Sequence, residues 1–164
     1  MATRNFNLDE PIAYLMTWTT YGSWLPGDQR GWQSKADFGV QPPSKCFEST
    51  AKGRMKEALL VLSGPDRRIV AETVQRHCEI RGWQLHAVNA RSNHVHVVVS
   101  AECDPETIVE QFKAWSSRKL KLEHPERTRF WTEGSSKRWI NHEDDLDSAI
   151  EYVVDAQDRK GLEN

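Results

Sequence analysis

The spacing of apolar residues changes along the chain, and each change marks a new element. Residues 13–21 (Ala-Tyr-Leu-Met-Thr-Trp-Thr-Thr-Tyr) are rich in β-branched and aromatic types and stop at Gly22, which predicts a strand. Residues 23–64 carry repeated Gly and Pro, among them Pro26, Gly27, Gly39, Pro42 and Pro43. This punctuation reads as a long inserted loop, broken by a short helix around 55–62. Loops of that length in a compact domain are functional or mobile. From Pro65-Asp66 the period becomes helical, with Ile69, Val70, Val74, His77, Cys78 and Arg81 on one stripe and Gly82 at its end. Residues 83–90 alternate like a strand, Arg91-Ser92-Asn93 turns the chain, and residues 94–101 form the next strand. Asp104-Pro105-Glu106 supplies the cap, first-turn proline and early acid of a helix. That helix carries Ile108, Val109, Phe112, Trp115 and Leu120 on one side and ends before Pro125. Residues 137–141 predict a last strand. Glu143-Asp144-Asp145 then opens a terminal helix with apolar positions Leu146, Ala149, Ile150 and Val153.

Strand, long loop, helix, strand, strand, helix, strand, helix is an α+β order. The economical packing is a ferredoxin-like, or RNA-recognition-motif-like, four-stranded antiparallel sheet with helices on one face and an added C-terminal helix. No repeat or linker divides the chain, so residues 1–164 read as one domain with 23–64 as an insertion after the first strand.

Composition narrows the class. The chain has 164 residues, 38% hydrophobic and 28% charged, enough for one core without disulfides or a structural metal. Its nearest approach to a long apolar run, 95–101, is interrupted by His96 and too short to cross a bilayer. The N-terminal Met1-Ala2-Thr3-Arg4-Asn5 lacks a signal-like apolar stretch, so a cytoplasmic protein without a membrane partner is expected. Cys46, Cys78 and Cys103 have neither zinc-knuckle nor redox spacing and are expected to be reduced and half-buried. A net charge of −2 argues against coating nucleic acid by bulk electrostatics. Within residues 111–140, however, eight Lys and Arg stand against three Glu, a local basic stretch that fits a defined polyanion track.

Candidate chemistry centres on Asn93-His94-Val95-His96-Val97-Val98-Val99. Side chains in a strand alternate between faces, so His94 and His96 point one way and Val95, Val97 and Val99 the other, into the core. Two imidazoles so placed either line a polar face or share one divalent cation. A cupin site would want a closely following Glu and Gly. Glu102 lies six residues past His96 and the next glycine is Gly134, so that reading is poor. Tyr152, on the terminal helix, shares a face with Ser148, Ala149, Asp155 and Ala156.

The ordered set resembles the HUH single-tyrosine DNA transposases, the insertion-sequence-200-like enzymes and their REP-associated relatives. It comprises Thr19-Thr20-Tyr21-Gly22-Ser23-Trp24-Leu25, the histidine strand, the Gln111-Phe112-Lys113 helix, the Arg138-Trp139-Ile140 strand and Tyr152-Val153-Val154. That resemblance implies His94 and His96 as ligands of a divalent metal, Mg²⁺ or Mn²⁺, and Tyr152 as nucleophile. The family places Gln or Asn four residues after the tyrosine as a third ligand. Here that position is Ala156, and the preferred substitute is Gln157, which needs a local bulge or an early helix end, with Asp155 the other candidate.

The implied activity is cleavage and rejoining of single-stranded DNA through a 5′-phosphotyrosine, at hairpin-containing ends. Lys113, Arg118, Lys119, Lys121, Arg129, Lys137 and Arg138 would track phosphates. Trp115, Trp131 and Trp139 could stack on bases, and Arg30, Gly31 and Trp32 could hold a hairpin. Monomer or homodimer is open, because the tyrosine of some members serves the partner's histidines. The alternatives are a domesticated hairpin-binding protein of the same fold, an RNA-binding sheet and a metal-dependent hydrolase using water. The RNA-binding sheet would want aromatics where His94 and His96 stand.

Overall fold

A computed structural model describes residues 10–23, 32–33 and 40–156. The elements are β1 (Ala13–Thr19), β2 (Trp32–Gln33), β3 (Val40–Gln41), α1 (Lys45–Arg54), α2 (Gly64–Arg81), β4 (Gln84–Ala90), β5 (His94–Ser100), α3 (Pro105–Glu123), β6 (Ser136–Ile140) and α4 (Glu143–Glu151). A π-helical turn, Tyr152–Ala156, continues α4. β4, β5, β1 and β6 lie side by side in that order in an antiparallel sheet, the expected ferredoxin-like arrangement. β2 and β3 make a separate two-stranded ribbon. No described helix is long and apolar enough to cross a membrane.

Alternation gives the sheet two different faces. Tyr14, Met16 and Trp18 of β1 and Val95, Val97 and Val99 of β5 face α2 and α3 and form the larger core with Val70, Val74 and Phe112. Trp18 stacks on Phe112 with ring centroids 6.0 Å apart. On the opposite face, Ala13, Ala87, Val98 and Ile140 are covered by Leu146, Ala149 and Val153. Those three helix positions are spaced by three and four residues, one side of a helix, as the sequence predicts.

Three local expectations are corrected. The short helix in the insertion is Lys45–Arg54, not 55–62. Residues 59–62 instead run extended: Leu60 and Leu62 are buried while Leu59 and Val61 are exposed. The Leu60 and Leu62 amides donate to the carbonyls of Tyr21 and Ser92. Four consecutive apolar residues have no period of their own, and here the carbonyls at the sheet's end decide for extension. Trp115 is 42% exposed and Ser116 is buried in its stead, its hydroxyl satisfied by the Phe112 carbonyl. Of the cysteines only Cys103 is half-buried. Cys46 is exposed, and Cys78 is buried, where desolvation pushes its thiol up to about 11.

Asp66 ties the first helix of the large core to the second. It closes a capping box with Ser63 and lies 2.9 Å from His124 Nε2, beyond the end of α3. Burial alone would raise its pKa, but the hydrogen bonds from His124 and Ser63 outweigh this and lower it. The folded state therefore holds the carboxylate more tightly than the unfolded chain does. That stabilisation is complete above the ordinary carboxylate range and is lost as pH falls through the lowered folded value. Asp66→Ala is expected to cost about 2 kcal/mol at pH 7. Urea melts at pH 7 and pH 3 should show the gap between variant and parent narrowing in acid.

Candidate active site

β5 is an inner strand, and its register fixes what surrounds the histidines. His94 stands opposite Thr19, and His96 opposite Thr17 of β1 and Asn89 of β4. Thr17 in turn faces Ser136 of β6. Paired residues project on the same side of a sheet, so Asn89, His96, Thr17 and Ser136 form one polar row across the face that α4 covers. The two imidazoles lie with centroids 4.7 Å apart and planes at 78°. Each has its Nδ1 engaged: His94 Nδ1 is 2.6 Å from Asn93 Oδ1, and His96 Nδ1 is 2.7 Å from Thr17 Oγ1. Partners of this kind fix the ring's orientation and tautomer.

Tyr152 reaches this row because α4 lies on the same face. Leu146, Ala149 and Val153 seal the helix against the sheet, which turns the neighbouring Tyr152 towards the histidines. Its ring is 38% exposed and meets the buried ring of His96 edge-on, centroids 5.6 Å apart at 75°. Asn89 Nδ2 donates to the Val153 carbonyl at 2.9 Å, fastening the π-turn to the strand beside His96. A π-turn widens the i→i+4 pattern to i→i+5 and is a common local device at functional sites. Asp155 lies exposed in it, and among the described residues no three His, Cys, Asp or Glu side chains converge as metal ligands. Gln157, Arg30 and Gly31 lie outside the described residues.

The basic residues divide between surfaces. Arg138 pairs with Leu15, so it shares the histidine face, and it is exposed. Lys137 projects to the other side and bonds Glu106 at 2.5 Å. Lys113 donates to the carbonyls of Thr132 and Gly134, and burial lowers its pKa. Lys121 donates to the carbonyls of Pro125 and Arg127. Arg118 lies 4.6 Å over the exposed Trp115 ring, and Lys119 is exposed beside it on α3, across the sheet from the histidines. Arg129 is exposed in the α3–β6 connection, Trp131 is half-buried, and Trp139 packs edge-on against Tyr14.

The family described as Transposase IS200 like matches residues 54–155, a span that takes in both histidines and Tyr152. The chain belongs to the IS200-like transposases. A solved REP-associated tyrosine transposase bound to a REP hairpin matches it with a TM-score of 0.55 at 9% identity, over 98% of this chain and 75% of that one. At that identity the likeness is one of fold. A structure from Deinococcus radiodurans R1, assigned to a transposase, matches with a TM-score of 0.47 at 15% identity, over 94% and 90% of the two chains. No curated protein matches the chain.

Asn89, Asn93 and Thr17 are the residues of this transposase that pattern reading did not assign. Asn93 stood in the quoted motif without a role, and the others emerge only with strand register. Asn89→Ala would leave the Val153 carbonyl without its side-chain donor, at an expected cost of about 1 kcal/mol. The readout is the His96 imidazole NMR signal, which should shift as the Tyr152 ring loosens, while signals from the α2–α3 core stay in place.

Proposed function

We propose that this transposase cleaves and rejoins single-stranded DNA through Tyr152, with the scissile phosphate held beside His94 and His96. The observation that carries the reading is the contact of Tyr152 with His96 of its own chain, since a nucleophile and a ligand pair must address one phosphate. Tyr152 Oη would attack phosphorus, form the new P–O bond and give up its proton to water. The bond from phosphorus to the 3′-oxygen breaks, and that oxygen takes a proton from water and leaves as a hydroxyl, giving a 5′-phosphotyrosine. Ester bonding is conserved, so a 3′-hydroxyl from another strand end can reverse the attack without ATP. The contact of Tyr152 with His96 within one chain supports a reaction in cis.

The donor set suits a divalent cation, Mg²⁺ or Mn²⁺. With Nδ1 of both rings engaged, ligation by His94 and His96 goes through Nε2. Such an ion, when bound, would polarise a non-bridging phosphate oxygen. Gln157 is the third ligand in this reading. An α-helix would set it about 140° from Tyr152, given ~3.6 residues per turn. The i→i+5 turn over Tyr152–Ala156 supports this choice, because a repeat lengthened by one residue is what a ligand five positions after the tyrosine would need.

DNA partners with hairpins are favoured by the REP-associated relative, which is bound to one. Arg138 would neutralise a phosphate on the site's own face. Exposed Arg118, Lys119 and Arg129, with Trp115, would hold the strand or hairpin further along. Lys113, Lys121 and Lys137 would join only by exchanging protein partners for phosphates.

The test is a covalent protein–DNA adduct on a denaturing gel, using a pool of labelled single-stranded hairpins with Mn²⁺. Tyr152→Phe and His94→Ala should each abolish the adduct, whereas binding without an adduct in any metal would overturn the assignment. Thr17→Val should weaken metal dependence by about 10- to 100-fold in apparent affinity, as loss of a ligand's supporting hydrogen bond does. Arg138→Ala should lower the salt slope of DNA binding by about one unit.

A further inference from the structure

A cavity of about 330 Å³ opens at the end of the sheet where β5 begins, outside the Tyr152 contact. Its wall includes Asn93, the residue whose side chain holds His94, so cavity and histidine pair share one residue. Leu59 and Val61, 50% and 59% exposed, form its apolar side. They face it because residues 59–62 are pinned extended between Tyr21 and Ser92, with Leu60 and Leu62 turned inward. Gly22, at φ +84°, lets this segment approach. A Cβ there would meet Met55 Cε at 2.5 Å and Leu59 Cα at 3.2 Å. Ser92 and Asn93 supply polar groups, and Lys52 stands at the rim, paired with Glu48 at 3.4 Å.

We propose that this cavity takes one unpaired nucleobase of the strand whose phosphate lies at Tyr152, and that occupancy bears on Asn93 and hence on His94. The inference rests on the reading above. Two outward aliphatic side chains offer a flat apolar surface to a ring face, while amide and hydroxyl groups can meet a base edge. The volume lies at the small end of ligand sites, room for one nucleotide and not a duplex. Lys52 is the exposed partner of a half-buried Glu48 in an i,i+4 pair, which is weakly held, so Lys52 can exchange its partner for the adjoining phosphate. Elsewhere on the described surface, the exposed Trp115–Arg118 pair stacks on α3, on the far side of the sheet from the histidines.

The experiment uses the full chain carrying Tyr152→Phe and the pool of single-stranded hairpins, with 4-thiothymine at one flanking position at a time. After irradiation, peptides bound to DNA are identified by mass spectrometry. The expected result is a cross-link to residues 59–61 or 92–93 from one flanking position only. Removing that base should weaken binding by roughly tenfold in the parent and leave Val61→Trp, whose indole fills the cavity, unchanged. Cross-links that map only elsewhere, or an abasic penalty equal in both proteins, would overturn the cavity's role and leave the nuclease reading standing. Absence of any DNA binding would overturn both. A melting curve checks that Val61→Trp, altered at an outward position, remains folded.

Discussion

The site depends on the alternation of β5 against a core that accepts only one of its faces. Val95, Val97 and Val99 are fully buried between the sheet and α2–α3. Each such side chain contributes about 1.5–3 kcal/mol by leaving water. A one-residue slip would drive His94 and His96 into that core and turn the three valines out, a loss comparable with a domain's whole stability. Burial on one face therefore aims the chemistry on the other. The imidazoles need no dedicated loop to hold them side by side, and Asn93 and Thr17 add only the final orientation.

The same logic places Tyr152, the proposed nucleophile. α4 is held by a second, smaller apolar patch built from the other face of the sheet, with Val98 at its centre next to His96. Val98 and His96 lie two residues apart on one face, so the helix that buries the valine passes over the histidine. Val153 is the last apolar anchor, and Tyr152 immediately precedes it. The π-turn begins there, and Asn89 bonds the carbonyl of Val153 at that point. A widened turn carries backbone groups that an α-helix would satisfy internally, and a strand side chain supplies one partner.

How much of this was legible in the sequence follows from which forces are local. The histidine face, both helix caps and the Leu146–Ala149–Val153 stripe depend on spacing along one segment, and spacing is written in the chain. Thr17 and Asn89 depend on which residues of β1 and β4 stand opposite His96, which only strand pairing decides. The extended path of residues 59–62 is not legible in the sequence for a related reason. Its partners, the Tyr21 and Ser92 carbonyls, lie far away in sequence, and an unbroken apolar run fits helix or strand equally well. Charge was the least legible quantity. The basic stretch looks continuous from Lys113 to Arg138, yet helix and strand geometry sends its members to opposite faces of the sheet, and three of the lysines to protein oxygens.

That division bears on how a strand could be held. A ferredoxin-like sheet with helices on one side would ordinarily leave its other face open to a ligand, but here α4 and the π-turn cover part of it. Among the described residues, Arg138 and Ser136 on the edge strand are exposed and His94 at the start of β5 is half-buried, with the cavity beside Asn93 beyond it. Phosphates need cations and water, whereas bases need a surface from which water can be displaced. Arg138 at one end and Leu59 with Val61 at the other meet those two needs on either side of the histidine pair. On the proposed reading, a single strand laid along that line would bring one phosphate towards Tyr152.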